Sequence, residues 1–489
     1  MTTDPTSTTT RGTADVPGGD RTALVTGAPG YIGGLLVPRL LAEGWAVRVL
    51  TRHRSSLDDV PWRDRVEVVE GDASSADDLR TALNGIQVAY FLIHSMGGAA
   101  DFAEHDRSLA QTFATAARDA GVGRIVYLSG LHPADEALSP HLASRVEVGE
   151  ILLSSGVPTA VLQAAVVLGD GSASFDMLRY LASRLPAMVA PKWLHNRIQP
   201  IAIDDVMHYL VGAADLPSDV NRTFDIGGPQ VMTYEEMLHD FVRITGRRRR
   251  LIVTVPVLTP RLASHWVGLV TPLDAGIAKP LVGSLVHEVV CQEDDIASYV
   301  PSPEGGLTGF DDAVRRAMRD AKPDTGPRNL AVFAGATLLS SVLGGLATQP
   351  SSRWYRGLDL PSWQPPKAAF PVVWTALYAD IAATSAATVT SLERVGKDDE
   401  ARAYRWALAT NLVLNTGWSW LFWRVRRLDL AAVEAGLLAA SSADLARRAG
   451  ADSPRRGALL APYAVWTGFA TVLSAAIARR NRRSSPGSR

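Results

Sequence analysis

Hydrophobic and polar residues follow two different patterns along this chain, and the change falls near residue 320. Before it, short apolar runs alternate with stretches of helical periodicity, which predicts buried β-strands separated by α-helices. The runs lie at residues 22–26, 46–52, 65–72, 88–95 and 124–130. Such a series predicts βαβ units, and therefore an α/β fold with a doubly wound parallel sheet.

After residue 320 the apolar stretches become much longer. They lie at residues 329–352, 368–392, 406–423, 428–446 and 457–478. Each can cross a bilayer as a helix, which satisfies its own backbone groups, so the pattern predicts an all-α five-helix transmembrane bundle. The fourth stretch is interrupted by charged residues and also fits a buried helix of a soluble protein. We expect Asp380 and Glu434 to face the bundle interior, because ionisable groups are costly against lipid.

The chain of 489 residues is too long for one ordinary domain. Residues 1–20 are polar and rich in Thr, Gly and Pro, which predicts a disordered tail without the apolar run of a signal peptide. We predict a nucleotide-binding domain at 21–320, a linker at 321–328 and a membrane domain at 329–489.

Composition narrows the classes of partner. The formal net charge is −1, which gives no reason to expect nucleic acid. The single cysteine, Cys291, excludes an internal disulfide framework and a multi-cysteine metal site, and we expect no metal cofactor. Eight of the twelve tryptophans follow residue 350, so the two halves of the chain need separate interpretations.

A glycine-rich turn joins the first predicted strand to the first predicted helix. Gly27, Gly30 and Gly33 are spaced G-x-x-G-x-x-G, with Tyr31 and Ile32 between the last two. Glycines in this position let the backbone approach a pyrophosphate, and the helix N-terminus then offers N–H groups to it. The context predicts a Rossmann-type dinucleotide site.

The ends of the second and third strands indicate which dinucleotide binds. An NAD site usually places an acidic residue about 20 residues after the glycines, but this chain has Arg52 there. Arg52 suits a 2′-phosphate, so NADP(H) is favoured over NAD(H); the alternative is a solvated basic turn. Asp72 is placed to accept a hydrogen bond from the adenine amino group.

The first half of the chain resembles the atypical short-chain dehydrogenase/reductase superfamily, which includes NmrA-like proteins. The resemblance runs from about residue 23 to residue 319 and includes residues 90–97, 125–131, 186–210 and 224–238. Dehydrogenases of this superfamily use Tyr-x-x-x-Lys on one helix. The counterparts here are His141 and Arg145, with Ser129 upstream. Two readings stay open: a reductase in which these residues are catalytic, or a domain that binds the cofactor without turning it over.

The second half resembles the TspO/MBR translocator-protein family at residues 354–378, 410–423 and 459–481. The resemblance implies a five-helix bundle that binds porphyrins between its helices, and a homodimer formed through the membrane domain. Carried over by motif, the ligand pocket would comprise Tyr355, Trp363, Trp374, Tyr378, Asn415, Trp418 and Trp466. Aromatic faces suit a flat tetrapyrrole, although Trp354, Trp406 and Trp423 fit interfacial anchors better.

Two departures limit the resemblance. Leu360 replaces the lysine that usually precedes Pro-Ser-Trp, and residues 472–479 lack the tyrosine of the proposed sterol pattern, so a porphyrin-like ligand is favoured over a sterol.

The supply of cofactor places the first domain in the cytoplasm, but the basic C-terminal tail opposes that orientation. The sequence predicts a multi-pass, membrane-anchored, NAD(P)(H)-binding oxidoreductase-like protein with a tetrapyrrole-binding domain. The alternative is a non-catalytic NADP(H) sensor that controls ligand binding or transport by the bundle.

Overall fold

The structure, a computed structural model, describes residues 21–93, 102–133, 138–184, 187–247, 251–255, 281–321 and 324–482. The predicted tail at residues 1–20 and part of the predicted linker lie outside the described residues. The described residues up to Ala321 form one compact unit, and those from Asp324 onward form a second.

A seven-stranded parallel sheet is the centre of the first unit. Its strands are β1 (Thr22–Thr26), β2 (Ala46–Thr51), β3 (Glu67–Glu70), β4 (Val88–Phe91), β5 (Arg124–Gly130), β6 (Thr159–Ala164) and, later in the chain, β11 (Arg222–Ile226). Their order is β11-β6-β5-β4-β1-β2-β3, and every neighbouring pair is parallel. The strand order reverses direction between β1 and β4, where open α/β sheets bind their ligands. The predicted Rossmann-type fold is thereby confirmed.

Helices cover both faces of this sheet. They are α1 (Tyr31–Ala42), α2 (Ala76–Leu83), α3 (Phe102–Asp119), α4 (Pro140–Leu153) and α6 (Ile203–Gly212). Ala23 and Val25 pack in the cluster that contains α1 and α6, whereas Leu24 packs in the cluster that contains α2, α3 and α4. Successive side chains of a strand point to opposite faces, so an apolar strand such as β1 needs a core on each side.

A smaller lobe follows β6 and has its own apolar core. Its helices are α5 (Ala173–Arg184), α7 (Tyr234–Ile244) and α8 (Phe310–Asp320). Its short strands are β7 (Val167–Leu168), β8 (Ala187–Pro191), β9 (Arg197–Ile198), β10 (Ile201–Ala202), β12 (Met232–Thr233) and β13 (Leu251–Val255). Short 3₁₀ turns span Arg54–Leu57, Arg63–Arg65, Lys192–His195, Ala213–Asp215 and Asp295–Ser298.

The second unit is helical. Its helices are α9 (Gly326–Ala347), the short α10 (Arg353–Arg356), α11 (Ala369–Arg394), α12 (Asp398–Trp420), α13 (Leu428–Asp452) and α14 (Pro454–Arg482). Among the described residues three of them, α9, α11 and α14, are long and apolar enough to cross a bilayer. The five-span bundle therefore stays a prediction for α12 and α13.

The helix bounds of the second unit differ from those of the predicted apolar stretches, and two of the differences have a local cause. Helix α9 ends at Ala347 rather than at Ser352. Gln349-Pro350 follows it, and the residue before a proline disfavours the helical conformation. Helix α12 begins at Asp398, eight residues before the predicted start at Trp406, because three acidic residues in its first turn stabilise a helix N-terminus. A π-helical turn, Leu421–Val425, then ends in Arg426 with positive φ.

Candidate functional site

A groove of about 910 Å³ opens at the carboxyl ends of the parallel strands. It contains residues that follow β1 to β6 and residues of α4 and α5. All the predicted cofactor-binding and catalytic residues line it, namely Gly27, Gly30, Tyr31, Ile32, Gly33, Arg52, Asp72, Ser129, His141 and Arg145. Parallel strands deliver their C-terminal residues to one edge, which explains why residues far apart in sequence meet here.

The glycine turn admits no side chain at two of its positions. Gly27 has φ +72°, and a Cβ there would lie 2.7 Å from the carbonyl oxygen of Leu92 at the end of β4. A Cβ on Gly33 would lie 2.4 Å from the carbonyl oxygen of Gly27 and 2.7 Å from the Cα of Ala28. The absence of side chains lets the turn lie close to the end of β4 and lets α1 lie close to the turn.

The N-terminus of α1 is left without a side-chain cap. Gly30 is the N-cap residue and has no side chain to accept from the first-turn N–H groups. The N–H groups of the first turn of any helix lack intrahelical partners, so those of Tyr31, Ile32 and Gly33 are available to an anion. These features fit the pyrophosphate of a dinucleotide.

Arg52 and Asp72 lie on the β2–β3 side of the groove. Hydrogen bonds from the backbone N–H and hydroxyl of Ser74, each 2.8 Å long, lower the pKa of Asp72, helped by the charges of Arg52 and His105. Within the described part of the chain the Arg52 side chain makes no hydrogen bond or ion pair, whereas Arg54 pairs with Glu70. Arg52 therefore remains available to a ligand.

Ser129, His141 and Arg145 form the side of the groove between β5 and α4. The Ser129 hydroxyl is buried and donates to the Arg145 carbonyl oxygen over 3.4 Å. Burial, with a smaller contribution from the Arg145 charge, lowers the pKa of His141 to about 4, so its imidazole is neutral near pH 7. The Arg145 Nε atom is buried without a hydrogen-bond partner among the described residues.

The depressed pKa of His141 predicts a loss of stability in acid. The unfolded chain protonates this histidine as the pH falls below about 6.5, while the folded chain resists until about 4. The free energy of unfolding should therefore fall as the pH drops through this window, by about 2 kcal/mol between pH 7 and pH 5. Denaturant titration of the wild type and of His141→Gln at both pH values measures the difference; an identical pH dependence in the two proteins would contradict it.

The groove continues into an apolar region that the motifs did not predict. Leu131, Met177, Leu281, Leu285 and Val289 line it. These residues come from the loop after β5, from α5 and from the segment before residue 290, and no motif marks them. His105 was missed for the same reason: it lies on α3, remote in sequence from the Asp72 that it approaches.

In the bundle, the predicted pocket residues Tyr378 and Asn415 join Tyr463 and Asn411, which the motifs did not predict, in one polar chain between helices. The Tyr378 hydroxyl donates to Asn415 Oδ1 over 2.5 Å, and the Tyr463 hydroxyl donates to Asn411 Oδ1 over 2.7 Å. The Asn415 amide donates to the Tyr463 oxygen over 3.4 Å, which links the two pairs. Trp374 lies beside this chain, with its ring centroid 5.5 Å from that of Tyr378 and 6.3 Å from that of Tyr463.

The other predicted pocket residues belong to neighbouring aromatic contacts. Trp418 stacks on Phe422, and its indole N–H donates to Ser474. Tyr355 is buried with its ring 4.6 Å from that of Trp423, so it packs inside the bundle. Half-exposed Trp363 and half-buried Trp466 both contact Phe469, which brings these two together.

The two acidic residues expected inside the bundle differ in their surroundings. Asp380 is half-buried and accepts a hydrogen bond of 2.8 Å from Thr384. Glu434 is 9 % exposed, and both its carboxylate oxygens are buried without a hydrogen-bond partner in the described part of the bundle. Glu434 therefore faces the interior as predicted, but unpaired.

The donor set of the described residues fits an organic cofactor. Among them, no three His, Cys, Asp or Glu side chains come together as metal ligands. The groove instead offers a glycine turn, an uncapped helix N-terminus and an unpartnered arginine. Together with the parallel sheet, these features define a nucleotide-binding, dehydrogenase-like unit, joined in this chain to a helical membrane unit.

Comparison with known proteins agrees for both units. The NAD(P)H-binding profile matches residues 27–165, and the TspO/MBR family profile matches residues 332–480. The chain is 30 % identical over 308 residues to a ceramide reductase from Caulobacter vibrioides, which covers 58 % of this chain and 91 % of that protein. It is 31 % identical over 159 residues to the translocator protein from Sus scrofa, covering 32 % of this chain and 93 % of that protein.

A solved triphenylmethane reductase from a Citrobacter species superposes with a TM-score of 0.49 at 19 % identity, covering 61 % of this chain and 99 % of that one. The sequence matches establish the family. The chain belongs to the NAD(P)H-binding, NmrA-like short-chain dehydrogenase/reductase group through its first unit and to the TspO/MBR family through its second. It is accordingly an integral membrane protein that binds a nicotinamide cofactor.

Proposed function

We propose that this protein is an NADP(H)-dependent reductase of a hydrophobic carbonyl compound, anchored by a five-span bundle that binds a flat hydrophobic ligand. The observation that carries the reductase is that one groove combines a dinucleotide turn, three polar residues between β5 and α4, and an apolar end. A nucleotide sensor would need the turn but has no need of the apolar end.

The cofactor would lie along the carboxyl edge of the sheet. The first turn of α1 would hold its pyrophosphate through backbone N–H groups. Arg52 would contact the 2′-phosphate of NADPH, and Asp72 the adenine. The unpartnered Arg145 Nε supports a role in holding the nicotinamide ribose, as the lysine does in related dehydrogenases.

Bound NADPH would supply a hydride to the carbonyl carbon of the substrate, and the resulting alkoxide would take its proton from solvent water. The protein's contribution is to polarise and orient that carbonyl. A neutral His141 would donate a hydrogen bond through a ring N–H. The Ser129 hydroxyl would donate a second if it turned away from its long hydrogen bond to the Arg145 carbonyl oxygen. Both bonds would stabilise negative charge that develops on the carbonyl oxygen. The Arg145 charge adds to this stabilisation. The same charge and burial keep the imidazole neutral.

The substrate class follows from the apolar end of the groove and from the relative that is named a ceramide reductase. Leu131, Met177 and Leu285 suit the alkyl part of a long-chain lipid carbonyl. Such a substrate resides in the bilayer, which gives a reductase a reason to be anchored there. The reductase unit would face the cytoplasm, where NADPH is supplied.

The bundle would bind a porphyrin-like ligand among Trp374, Tyr378, Asn415, Trp418 and Trp466. Aromatic faces stack on tetrapyrroles, and the amide and hydroxyl groups can orient polar substituents. Tyr355 and Trp363 would close the loop side of this pocket, and two chains would associate through their bundles. Loss of protoporphyrin quenching in both Trp374→Phe and Trp466→Phe would support this assignment.

The alternative is a domain that senses NADP(H) without turnover. It is favoured by the replacement of the usual Tyr-x-x-x-Lys by His141 and Arg145, because a neutral imidazole is a weak proton donor. Purified full-length protein, supplied with NADPH and a long-chain keto-lipid in mixed micelles, separates the two. Lipid-dependent loss of NADPH absorbance supports the reductase. Tight NADPH binding without turnover of any carbonyl lipid would favour the sensor.

Cofactor choice should depend on Arg52. Arg52→Gln removes the charge offered to the 2′-phosphate and should weaken NADPH binding about 10- to 100-fold while NADH affinity stays within about twofold. Arg54→Gln is the matched control, because Arg54 is already paired with Glu70. Titration of both cofactors by fluorescence measures the effect. Equal losses for NADPH in the two variants would assign the 2′-phosphate contact elsewhere.

A further inference from the structure

The outer strand of the smaller lobe, β13, turns two apolar side chains away from the protein. Among the described residues it pairs with β8 alone, in parallel register. Ile252 packs against the apolar core of the lobe, whereas Leu251 is 64 % exposed and Val253 is 48 % exposed. Side chains alternate between the two faces of a strand, so Leu251 and Val253 share the outward face.

Positive charge precedes this face along the chain. Arg247 is exposed, and within the described residues its side chain forms no ion pair or hydrogen bond. The nearby carboxylates of Glu236 and Asp240 already accept hydrogen bonds from neighbouring residues. The sequence continues Arg247 with three further arginines, and it has no acidic residue from 241 to 273. The chain that leads into β13 is therefore strongly basic.

The strand also adjoins the core that forms the apolar end of the groove. Ile252 packs against the cluster that contains Leu285 and Val289, and these two residues line the groove. Buried Met188 of β8 belongs to the same cluster. The β8–β13 pair therefore packs on the core that supplies the apolar wall of the groove.

We propose that the outward face of β13 and its basic flank dock on a bilayer surface that contains anionic lipid. Leu251 and Val253 would enter the boundary between headgroups and acyl chains, and Arg247 would contact lipid phosphates. A protein partner fits less well. A stable protein interface buries about 800 Å² on each partner, and two side chains offer only a small part of that area.

Weak contacts are sufficient for this docking. The first unit is covalently joined to the membrane unit, so the bilayer is present at a high effective concentration. Docking would bring the apolar end of the groove to the lipid surface, and a long-chain substrate would enter it without crossing water. The docking depends on membrane attachment and not on the proposed reductase activity.

Fluorescence quenching in the full-length protein tests the docking. A bimane label is placed on Val253→Cys in a Cys291→Ser background, and the protein is reconstituted in nanodiscs that contain a lipid with a nitroxide on its headgroup. The control label is on Glu43→Cys, which is exposed at the end of α1, at the edge of the sheet opposite the groove. In discs with about 30 % phosphatidylglycerol, nitroxide quenching at residue 253 should exceed that at residue 43 by at least about threefold.

Charge and apolar contact are tested separately. In discs of phosphatidylcholine alone, quenching at residue 253 should fall at least about twofold, because the anionic headgroups are absent. Leu251→Asp puts a negative charge on the outward face and should lower quenching at residue 253 to the level at residue 43. The Kd of this variant for NADPH should stay within about twofold of the wild type, because Leu251 lies outside the residues that line the groove. An unchanged Kd shows that the variant is folded.

The outcomes decide for or against docking. Equal nitroxide quenching at residues 253 and 43 in anionic discs, or equal quenching at residue 253 in anionic and neutral discs, overturns it. Shielding of the label at residue 253 from both the nitroxide lipid and aqueous acrylamide also overturns it, because a protein segment then covers the strand. NADPH oxidation measured on the same discs keeps the proposals apart: docking without turnover of a carbonyl lipid argues against the reductase alone.

Discussion

Replacement of Gly33 by alanine is expected to abolish NADPH binding at concentrations that saturate the wild type, a loss of at least about 100-fold in affinity. The added Cβ would lie 2.4 Å from the Gly27 carbonyl oxygen and 2.7 Å from the Ala28 Cα. Both are backbone atoms, so no side chain can rotate away. The overlap can be relieved only by moving α1 away from the glycine turn, which displaces the N–H groups proposed to hold the pyrophosphate.

Gly34→Ala is the matched control for this prediction. A Cβ on Gly34 meets nothing closer than the Ala28 carbonyl oxygen at 3.6 Å, an ordinary contact. Affinity for NADPH should stay within about twofold, and stability should rise by about 0.5–1 kcal/mol because alanine favours helix over glycine. Isothermal titration with NADPH and thermal melts of both variants provide the comparison. Similar NADPH affinity in the two variants would show that the turn does not hold the cofactor.

Replacement of His141 by alanine is expected to lower turnover of a carbonyl lipid by about 10²- to 10⁴-fold, with little change in the Kd for NADPH. The imidazole is proposed to polarise the carbonyl, an interaction that strengthens only as charge develops on the oxygen. Its effect should therefore fall on kcat more than on cofactor affinity. Single-turnover measurements of NADPH oxidation, combined with cofactor titration, separate the two quantities.

His195→Ala serves as the control, because His195 is 54 % exposed in its side chain and lies outside the residues that line the groove. It should retain wild-type turnover. The pH profile gives a second check: with the pKa of His141 near 4, activity should not fall as the pH rises through 6.5. A fall of turnover at that point would indicate a protonated histidine as the acid and would contradict the neutral donor.

Much of the first unit was predictable because its signals are local. Residues 22–26 form a strand in the structure over the predicted range, since an apolar run ending in a glycine turn has few alternatives. The third strand is shorter than predicted, Glu67–Glu70 instead of residues 65–72, because Arg63–Arg65 forms a 3₁₀ turn and residues 71 and 72 belong to the groove. Strand ends depend on tertiary pairing, which a single sequence does not reveal.

Site residues were predictable where a sequence motif marks them. They were not predictable where only the packing of helices brings a residue to the groove. Gly27, Arg52 and Ser129 follow strands, so fold topology alone brings them to one edge. Met177 and His105 reach the groove from helices whose placement depends on the whole core. In the bundle, aromatic residues carried over by motif do meet in pairs, but the motif gave no sign that Tyr355 would be buried against Trp423. The sequence predicted that Glu434 faces the bundle interior, but only the structure shows that its carboxylate oxygens have no hydrogen-bond partner among the described residues.

The polar chain through Tyr378, Asn415, Tyr463 and Asn411 has a consequence for how the bundle evolves. For an apolar helix in lipid, different rotations about the helix axis have similar free energies. Interhelical hydrogen bonds therefore determine which rotation is adopted. The hydroxyl and amide groups that could orient a ligand are therefore the same groups that fix the relative rotation of α11, α12 and α14. A substitution at Asn415 that suits a new ligand would also remove hydrogen bonds that fix this rotation. We therefore expect a change of ligand preference to require several substitutions together, on α11, α12 and α14, rather than a single one.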